Sequence, residues 1–404
     1  MQTQKKKTAK AGVLMLLGVF SYFSSYITRV NLSVAIEALK DRGIFPVDTI
    51  ALATTCNVIV YGAGLIIAGF LTRKFRPKTL LVASLVAAAL MNAVVPFSAM
   101  LGGDAAVVAA WSVNGFAQAL MWPALIQVFL THLNGKQYDN AILYVSAGSS
   151  AGYVLTYLIA PLLFGVGEGG WQLVFLLPAA VSVMCAVLWL LAPFGGDMPE
   201  AKKAASGTDT RVFTPMIAAI AFAIVLHGML RDGITTWMPT YINDNFHLGA
   251  NISILTGVAL PVFSLFSSWL GVVIIRKLRD PILSAMLIFG TAAVFCVILG
   301  VWGKTAPVAV FSMAVVVGAM YGVNMMLVSM VPKAYAFTGK GALLTGVLNA
   351  FTYVGSSVSI YGVVLFSDAF GWNATVFLWA GAAALGGGVC LAILPAWKKK
   401  FGRK

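Results

Sequence analysis

Long apolar stretches follow one another along the whole chain, and only short polar breaks separate them. A helix of about 20 apolar residues crosses the roughly 30 Å of hydrocarbon in a bilayer. The pattern therefore predicts a polytopic membrane protein. Twelve spans are predicted, at residues 11–39, 50–72, 79–98, 105–133, 140–165, 171–194, 212–243, 250–275, 282–302, 306–332, 342–367 and 373–396. The first is expected to be a retained helix, because its run exceeds that of a signal peptide and lacks an A-x-A type cleavage site.

Composition and the placement of charge support this prediction. Hydrophobic residues make up 60% of the chain and charged residues 10%, against roughly 25% charged residues in soluble proteins. With the N-terminus in the cytoplasm, 22 of the 27 Lys and Arg residues fall on cytoplasmic segments. Such a bias sets the orientation of membrane proteins, so the net charge of +14 is a topology signal and not a nucleic-acid-binding surface. We expect a multi-pass protein of the inner (plasma) membrane with both termini in the cytoplasm.

The chain consists of two halves that repeat each other. A basic loop that begins at Arg73 recurs at Arg276, 203 residues later, and a Gly-Trp step at Gly170 recurs at Gly371, 201 residues later. A polar segment rich in small residues separates the halves and is expected to be flexible. The predicted organisation is an N-terminal six-helix bundle at 1–194, a cytoplasmic linker at 195–211 and a C-terminal six-helix bundle at 212–404.

Two arginines lie inside apolar spans, at the same spacing as the repeat. Arg29 and Arg231 are 202 residues apart. Six-helix repeats related by an axis along the membrane normal place their substrate site between the halves, so we expect the two side chains to face each other across a central cavity. A guanidinium group offers forked donors that suit phosphate or carboxylate. Tyr22 and Tyr26 precede Arg29 at helical spacing, on one face with it, and can donate to the same anion or pack in the bundle.

Two titratable side chains accompany the second arginine. His227 lies one turn before Arg231, where it is either a core histidine or a group that titrates. Asp232 follows Arg231 directly and is either a proton-coupling group or the partner that makes a buried arginine tolerable. The sequence leaves both alternatives open.

Several kinds of chemistry are excluded by missing motifs. The chain has no Walker-type G-x-x-x-x-G-K-S/T segment, so transport driven by ATP hydrolysis is not predicted. It also has no H-E-x-x-H or G-x-S-x-G motif and no His/Cys cluster. The four cysteines lie singly in separate spans. We therefore expect neither an enzyme, a metal site nor a cofactor.

Several segments resemble one transporter family. YFSSYITRVN, at 22–31, is similar to the first helix of the organophosphate:inorganic phosphate antiporters and the related anion:cation symporters of the major facilitator superfamily. LRDGITTWMPTY, at 230–241, looks like the seventh helix of the organophosphate antiporters, and NGFAQALMWP, at 114–123, like their fourth. The resemblance implies an all-α membrane protein of twelve helices in two pseudo-symmetric six-helix bundles, the major facilitator fold.

The same resemblance implies a function and a set of site residues. It implies alternating access, with an organic phosphate bound by the two arginines and exchanged for inorganic phosphate. The residues that match the family's site are Arg29 and Arg231 with Tyr22, Tyr26, Tyr61 and Tyr321. A functional monomer is expected.

Other positions depart from the family pattern. The family's accessory lysines correspond to Val30 and Leu65, its fifth-helix histidine to Gly148, and two acids to Thr236 and Thr256. A third acid, in the loop after the second helix, is Thr72. Because lysines, a histidine and acids are all missing, the site keeps its balance of charge but loses its accessory charges. This loss favours a small organic anion as the substrate, either a phosphorylated metabolite or an anion of lower charge.

Two alternative functions stay open, the first from the residues and the second from what the family resemblance implies. One is a proton-coupled symporter of a carboxylate or sugar acid, with Asp232 or His227 carrying the proton. The other, of a different class, is a membrane sensor that binds a sugar phosphate and signals to a partner.

Overall fold

A computed structural model describes residues 2–101, 103–194, 214–335 and 341–401. The chain divides into two compact units, Met1–Lys202 and Lys203–Lys404. The predicted linker at 195–211 lies outside the described residues. In each unit, one face of the helices is buried against other helices, and the opposite face exposes apolar side chains.

The first unit contains seven helices in its described residues. They are α1 (Gln2–Ile27), α2 (Asn31–Asp41), α3 (Val47–Lys74), α4 (Pro77–Val94), α5 (Asp104–His132), α6 (Gly135–Phe164) and α7 (Gly170–Leu191), with a 3-10 segment at Val95–Met100. Proline starts α4, where its missing N–H is harmless. A capping box of Asn134 and Gln137 starts α6.

The first predicted span, 11–39, is not one continuous helix. The backbone turns at Thr28–Val30 between α1 and α2, and Arg29 lies in this turn. Helical hydrogen bonding resumes with the amide of Val34, which donates to the carbonyl of Val30 at 2.9 Å. The prediction of a regular helix through Arg29 was wrong, because buried side chains of other helices bind the backbone at the turn.

The second unit contains the other seven helices of the described residues. They are α8 (Pro215–Phe246), α9 (Ala250–Thr256), α10 (Ala259–Leu278), α11 (Pro281–Trp302), α12 (Ala306–Asn324), α13 (Val331–Ala334) and α14 (Gly341–Phe401), with a π-helical segment at Met325–Met330. The predicted span 250–275 corresponds to α9 and α10. The 61 residues of α14 cover the last two predicted spans, and the backbone leaves helical geometry between them at Gly371, where φ is 79°.

Ten helical stretches in the described part of the chain are long and apolar enough to cross a membrane. Only 39–61% of their most apolar windows is buried inside the protein. The outward side chains include Leu16, Leu162 and Met100, which are 70%, 71% and 86% exposed. Apolar surface of this extent is expected where hydrocarbon is the solvent, so the structure is that of an all-helical integral membrane protein.

Glycines bring two pairs of helices into close contact. A methyl group at Gly148 of α6 would lie 2.9 Å from the carbonyl oxygen of Val19 on α1. In the second unit, a methyl group at Gly355 of α14 would lie 1.9 Å from the carbonyl oxygen of Val225 on α8. Small residues let helix backbones approach in this way inside membranes. Gly148 in the fifth predicted span and Gly355 in the eleventh therefore have a packing role.

Candidate functional site

Arg29 lies against an aromatic ring. Its guanidinium carbon is 4.0 Å from the centroid of the Tyr61 ring on α3. Tyr61 is 8% exposed, whereas Arg29 is only partly buried. A cation over an aromatic face is stabilised by the quadrupole of the ring, by about 0.5–2 kcal/mol. The ring face of Tyr61 thus supports the charge of Arg29.

Buried amides hold the helix turn open beside Arg29. The carbonyl oxygen of Thr28 accepts hydrogen bonds from Asn92 Nδ2 at 2.9 Å and from Asn114 Nδ2 at 3.0 Å. Gln118 Nε2 donates to the Thr28 hydroxyl at 3.0 Å, and Asn31 Nδ2 donates to Asn92 Oδ1 at 2.7 Å. An unsatisfied carbonyl costs several kcal/mol in hydrocarbon. These side chains, from α2, α4 and α5, therefore stabilise the interrupted backbone that carries Arg29.

Tyr22 and Tyr26 belong to an aromatic cluster. Their ring centroids are 6.1 Å apart, and Tyr22 also packs edge-on against Trp122 at 4.9 Å. Tyr26 packs against Tyr153 of α6 at 6.1 Å. Both tyrosines are half-buried. The structure thus brings the two predicted tyrosines together and places each in ring packing.

Arg231 forms a two-point ion pair with the next residue. Its Nε donates to Asp232 Oδ1 at 2.6 Å and its Nη2 donates to Asp232 Oδ2 at 2.8 Å. The side chains are 13% and 22% exposed. The guanidinium carbon also lies 5.7 Å from the centroid of the Tyr321 ring on α12. Asp232 therefore acts as the charge partner of Arg231 in this structure.

A serine from a second helix completes the ion pair. Ser356 of α14 is fully buried, and its hydroxyl donates to Asp232 Oδ2 at 2.5 Å. The same hydroxyl lies 2.9 Å from the carbonyl oxygen of Thr352, an alternative acceptor. The close approach of α14 to α8 at Gly355 places Ser356 within reach of Asp232. The carboxylate is thus held from both helices.

His227 is buried beside this pair. Its side chain has no exposed surface, and neither ring nitrogen makes a hydrogen bond of good geometry to a described residue. It lies within electrostatic reach of Arg231 and Asp232. The second unit therefore brings together the predicted residues His227, Arg231, Asp232 and Tyr321.

Packing explains one of the departures from the family pattern. The position of the family's histidine is Gly148, where even a methyl group would lie 2.8 Å from Val19 Cγ1. A larger side chain there requires α1 and α6 to move apart. This position serves helix packing in the present chain.

Sequence reasoning missed several polar residues near the arginines. Asn92, Asn114, Gln118 and Ser356 are all buried polar residues within apolar spans. Their position in apolar spans was the available signal, because polar side chains inside membranes often form hydrogen bonds with another helix. Glu37 of α2 was also missed. Its side chain is fully buried, and Lys40 Nζ lies 3.4 Å from Glu37 Oε1.

Comparisons with known proteins identify transporters that are similar to this chain. The chain is 23% identical to the phosphoglycerate transporter protein of Salmonella typhimurium, over 93% of this chain and 86% of the relative. It is 24% identical to the glycerol-3-phosphate transporter of Bacillus subtilis, over 89% of this chain and 87% of the relative. The crystal structure of the nucleoside transporter NupG is similar with a TM-score of 0.70 and 14% identity, over 95% of this chain and 99% of that one.

The family profile described as Major Facilitator Superfamily matches residues 14–360, which is most of the chain. This family consists of transporters and not of enzymes, as the missing catalytic motifs predicted. The predicted resemblance to organophosphate transporters agrees with the two relatives described above. The chain belongs to the Major Facilitator Superfamily.

Proposed function

We propose that this protein is a secondary transporter that moves a small organic anion, in particular a phosphorylated metabolite, by alternating access. One observation carries the proposal. Arg29 and Arg231 occupy corresponding places in the repeated halves, and each lies against a tyrosine ring, that of Tyr61 or Tyr321. Keeping two guanidinium groups at membrane depth is unfavourable by at least roughly 2.5 kcal/mol each. A shared anionic ligand explains why both are present.

The chemistry of the relatives supports a phosphate ester as the substrate. Phosphoglycerate and glycerol 3-phosphate, named for the two relatives, are both small phosphate monoesters. Two guanidinium groups can bind the phosphate by paired N–H donors. Tyr22 and Tyr26 are proposed to orient the remainder of the substrate. The missing accessory lysines make a less charged organic anion the second substrate class to test.

We propose the membrane arrangement that the sequence predicts. It has twelve helices in two six-helix bundles, at 1–194 and 212–404, joined by the linker 195–211. Both termini are placed on the cytoplasmic side of the inner membrane, and the monomer is the transporting unit. The basic loops support this orientation.

The co-substrate is either inorganic phosphate or a proton. Exchange against phosphate follows from the family resemblance, whereas the ion pair of Asp232 with Arg231 favours a proton. Counterflow experiments in proteoliposomes distinguish exchange against phosphate from symport with a proton. Internal phosphate accelerates uptake of labelled glycerol 3-phosphate by an exchanger. A symporter instead responds to an inward proton gradient when internal phosphate is absent.

The arginines provide the direct test of the function. We expect Arg29→Lys, Arg29→Gln, Arg231→Lys and Arg231→Gln each to reduce uptake of the transported anion by about 100-fold, because hydrogen bonds to a charged ligand are lost. Uptake is measured in proteoliposomes that contain equal amounts of inserted protein. Arg76→Gln, an exposed arginine before α4, is the matched control and should retain uptake. Normal uptake by the Arg29 and Arg231 variants would refute the proposal.

A further inference from the structure

Asp232 occupies one of the two edges of Arg231 that can bind an anion. The Nε and Nη2 donors of a guanidinium form a fork for a carboxylate or a phosphate. Both donate to Asp232, at 2.6 and 2.8 Å. The pair has no net charge, and an arriving anion meets a carboxylate in the place that it would occupy.

We propose that Asp232 is a resident competitor of the substrate anion, and that the anion binds at this edge of Arg231 only when the Asp232 carboxylate takes up a proton. This inference rests on the proposed function, because it treats Arg231 as an anion-binding group. Hydronium in the solvent gives one proton to the Asp232 carboxylate and becomes water, and the anion replaces the now neutral carboxyl group as the partner of the guanidinium.

Ser356 is positioned to serve both states of the carboxyl group. In this structure its hydroxyl donates to the ionised Oδ2 of Asp232 at 2.5 Å. The carbonyl oxygen of Thr352 lies 2.9 Å from the same hydroxyl. When Asp232 is protonated, its own O–H can donate to Ser356 Oγ while the serine donates to Thr352. Because the hydroxyl can reverse its direction, Asp232 can leave Arg231 without becoming a buried group that lacks a hydrogen bond.

Few other titratable groups surround the pair. His227 is on α8 itself, Tyr321 is on α12 and Tyr353 is on α14, and all three lie within electrostatic reach of Arg231. Helix α9 and the segment Met325–Met330, which also contact α8, carry no titratable side chain. Phenols stay neutral at ordinary pH. His227 is therefore the one described neighbour whose titration has to be separated from that of Asp232.

Sulfate is a suitable probe, because it keeps its double charge throughout the range from about pH 5 to about pH 8. Its binding to purified full-length protein can be followed by thermal shift, since a ligand of the native state raises stability. We expect the affinity of the wild type for sulfate to fall about tenfold per pH unit above a midpoint, the pH at which Asp232 is half protonated. This slope is the one expected when a single proton has to bind together with sulfate. Asp232→Asn should bind sulfate at least about tenfold more tightly at about pH 8, with no such slope.

Ser356→Ala tests the same mechanism while both charges remain. Without the hydroxyl, the ionised carboxylate loses a hydrogen bond, and protonation becomes easier. The midpoint of sulfate binding should therefore move to higher pH. Ser357→Ala is the matched control, because the Ser357 hydroxyl donates to the carbonyl oxygen of Tyr353 and not to Asp232. It should leave the midpoint unchanged.

Two further variants distinguish failure of this inference from failure of the proposed function. His227→Gln should keep the slope, and loss of the slope in that variant would assign the proton to His227 and overturn the inference. A flat wild-type profile, or a slope that persists in Asp232→Asn, would also overturn it. Arg231→Gln should abolish sulfate binding. If binding of sulfate and of glycerol 3-phosphate is absent or does not depend on Arg231, the proposed function itself fails.

Discussion

Arg29 and Arg231 occupy corresponding places in the two halves of the sequence, but their surroundings differ. Arg29 lies in a turn between two helices, where neutral amides bind the backbone and Tyr61 covers the guanidinium. Arg231 lies within the continuous helix α8, where Asp232 binds its guanidinium directly. Both arginines lie against a tyrosine ring, so the repeat preserves a positive charge beside an aromatic face. In the first half, buried amides also stabilise the backbone around the arginine, and in the second half Asp232 binds the arginine itself.

The largest expected effect concerns the helix contact that supports the Arg231 side. Gly355→Ala should lower the stability of the protein by about 1–3 kcal/mol or more, because the new methyl group would lie 1.9 Å from the carbonyl oxygen of Val225. It should also move Ser356 away from Asp232 and change the pH midpoint of sulfate binding. Gly148→Ala, on the Arg29 side, should be less damaging, since its contacts with Val19 Cγ1 at 2.8 Å and the Val19 carbonyl oxygen at 2.9 Å are longer than the 1.9 Å contact at Gly355.

Thermal unfolding of the purified variants measures this difference. Gly362→Ala is the control on the same helix, because a methyl group there meets nothing within 4 Å. It should be neutral or slightly stabilising, as alanine is the better helix former. An unfolding temperature of Gly355→Ala equal to that of Gly362→Ala would contradict the close packing of α8 and α14.

A smaller effect is expected from the amides beside Arg29. Asn114→Ala removes one of the two side-chain donors to the Thr28 carbonyl and should cost about 1–2 kcal/mol. The turn that positions Arg29 then loosens, so KM for the transported anion should rise. The pH midpoint of sulfate binding should stay in place, because Asp232 is untouched. A shift in the pH midpoint of sulfate binding would show that the residues that stabilise Arg29 also influence Arg231 and Asp232.

Asn245→Ala is the matched control for this prediction. The amide of Asn245 donates to the carbonyl of Tyr241 near the end of α8, away from either arginine in sequence. Its removal should leave KM unchanged. Kinetics of uptake in proteoliposomes measure KM and the maximal rate separately.

The smallest effect distinguishes the ring of Tyr61 from its hydroxyl. Tyr61→Phe keeps the aromatic face over Arg29 and should change anion affinity by less than about twofold. Tyr61→Leu removes that face and should weaken affinity by about two- to fivefold. Affinity is read from thermal shift against sulfate. Equal losses in the two variants would instead assign Tyr61 a hydrogen bond to the anion.

Much of the helical fold follows from hydrophobic length alone. In the first unit, six stretches of the structure match the first six predicted spans, because a helix satisfies its backbone hydrogen bonds within one apolar segment in hydrocarbon. The turn at Thr28–Val30 was not predictable in this way, since the apolar pattern continues through it. It depends on Asn92 and Asn114, which are distant in sequence and are brought to Thr28 by packing.

The candidate site was predictable in part. The repeat identified both arginines, and adjacency made Asp232 a possible partner of Arg231. The contact of Ser356 with Asp232 joins residues 124 positions apart, and no local pattern signals it. Glu37 was overlooked because it lies near the predicted end of the first span, whereas α2 extends to Asp41 and buries it.

The close contact at Gly148 also bears on how this lineage can change over time. A histidine at this position would meet the backbone of Val19, so a single substitution cannot restore the side chain that the family resemblance places there. A second change that moves α1 away from α6 has to accompany it. The residue that fits at position 148 thus depends on the spacing of the two helix backbones, a dependence between positions that is called epistasis.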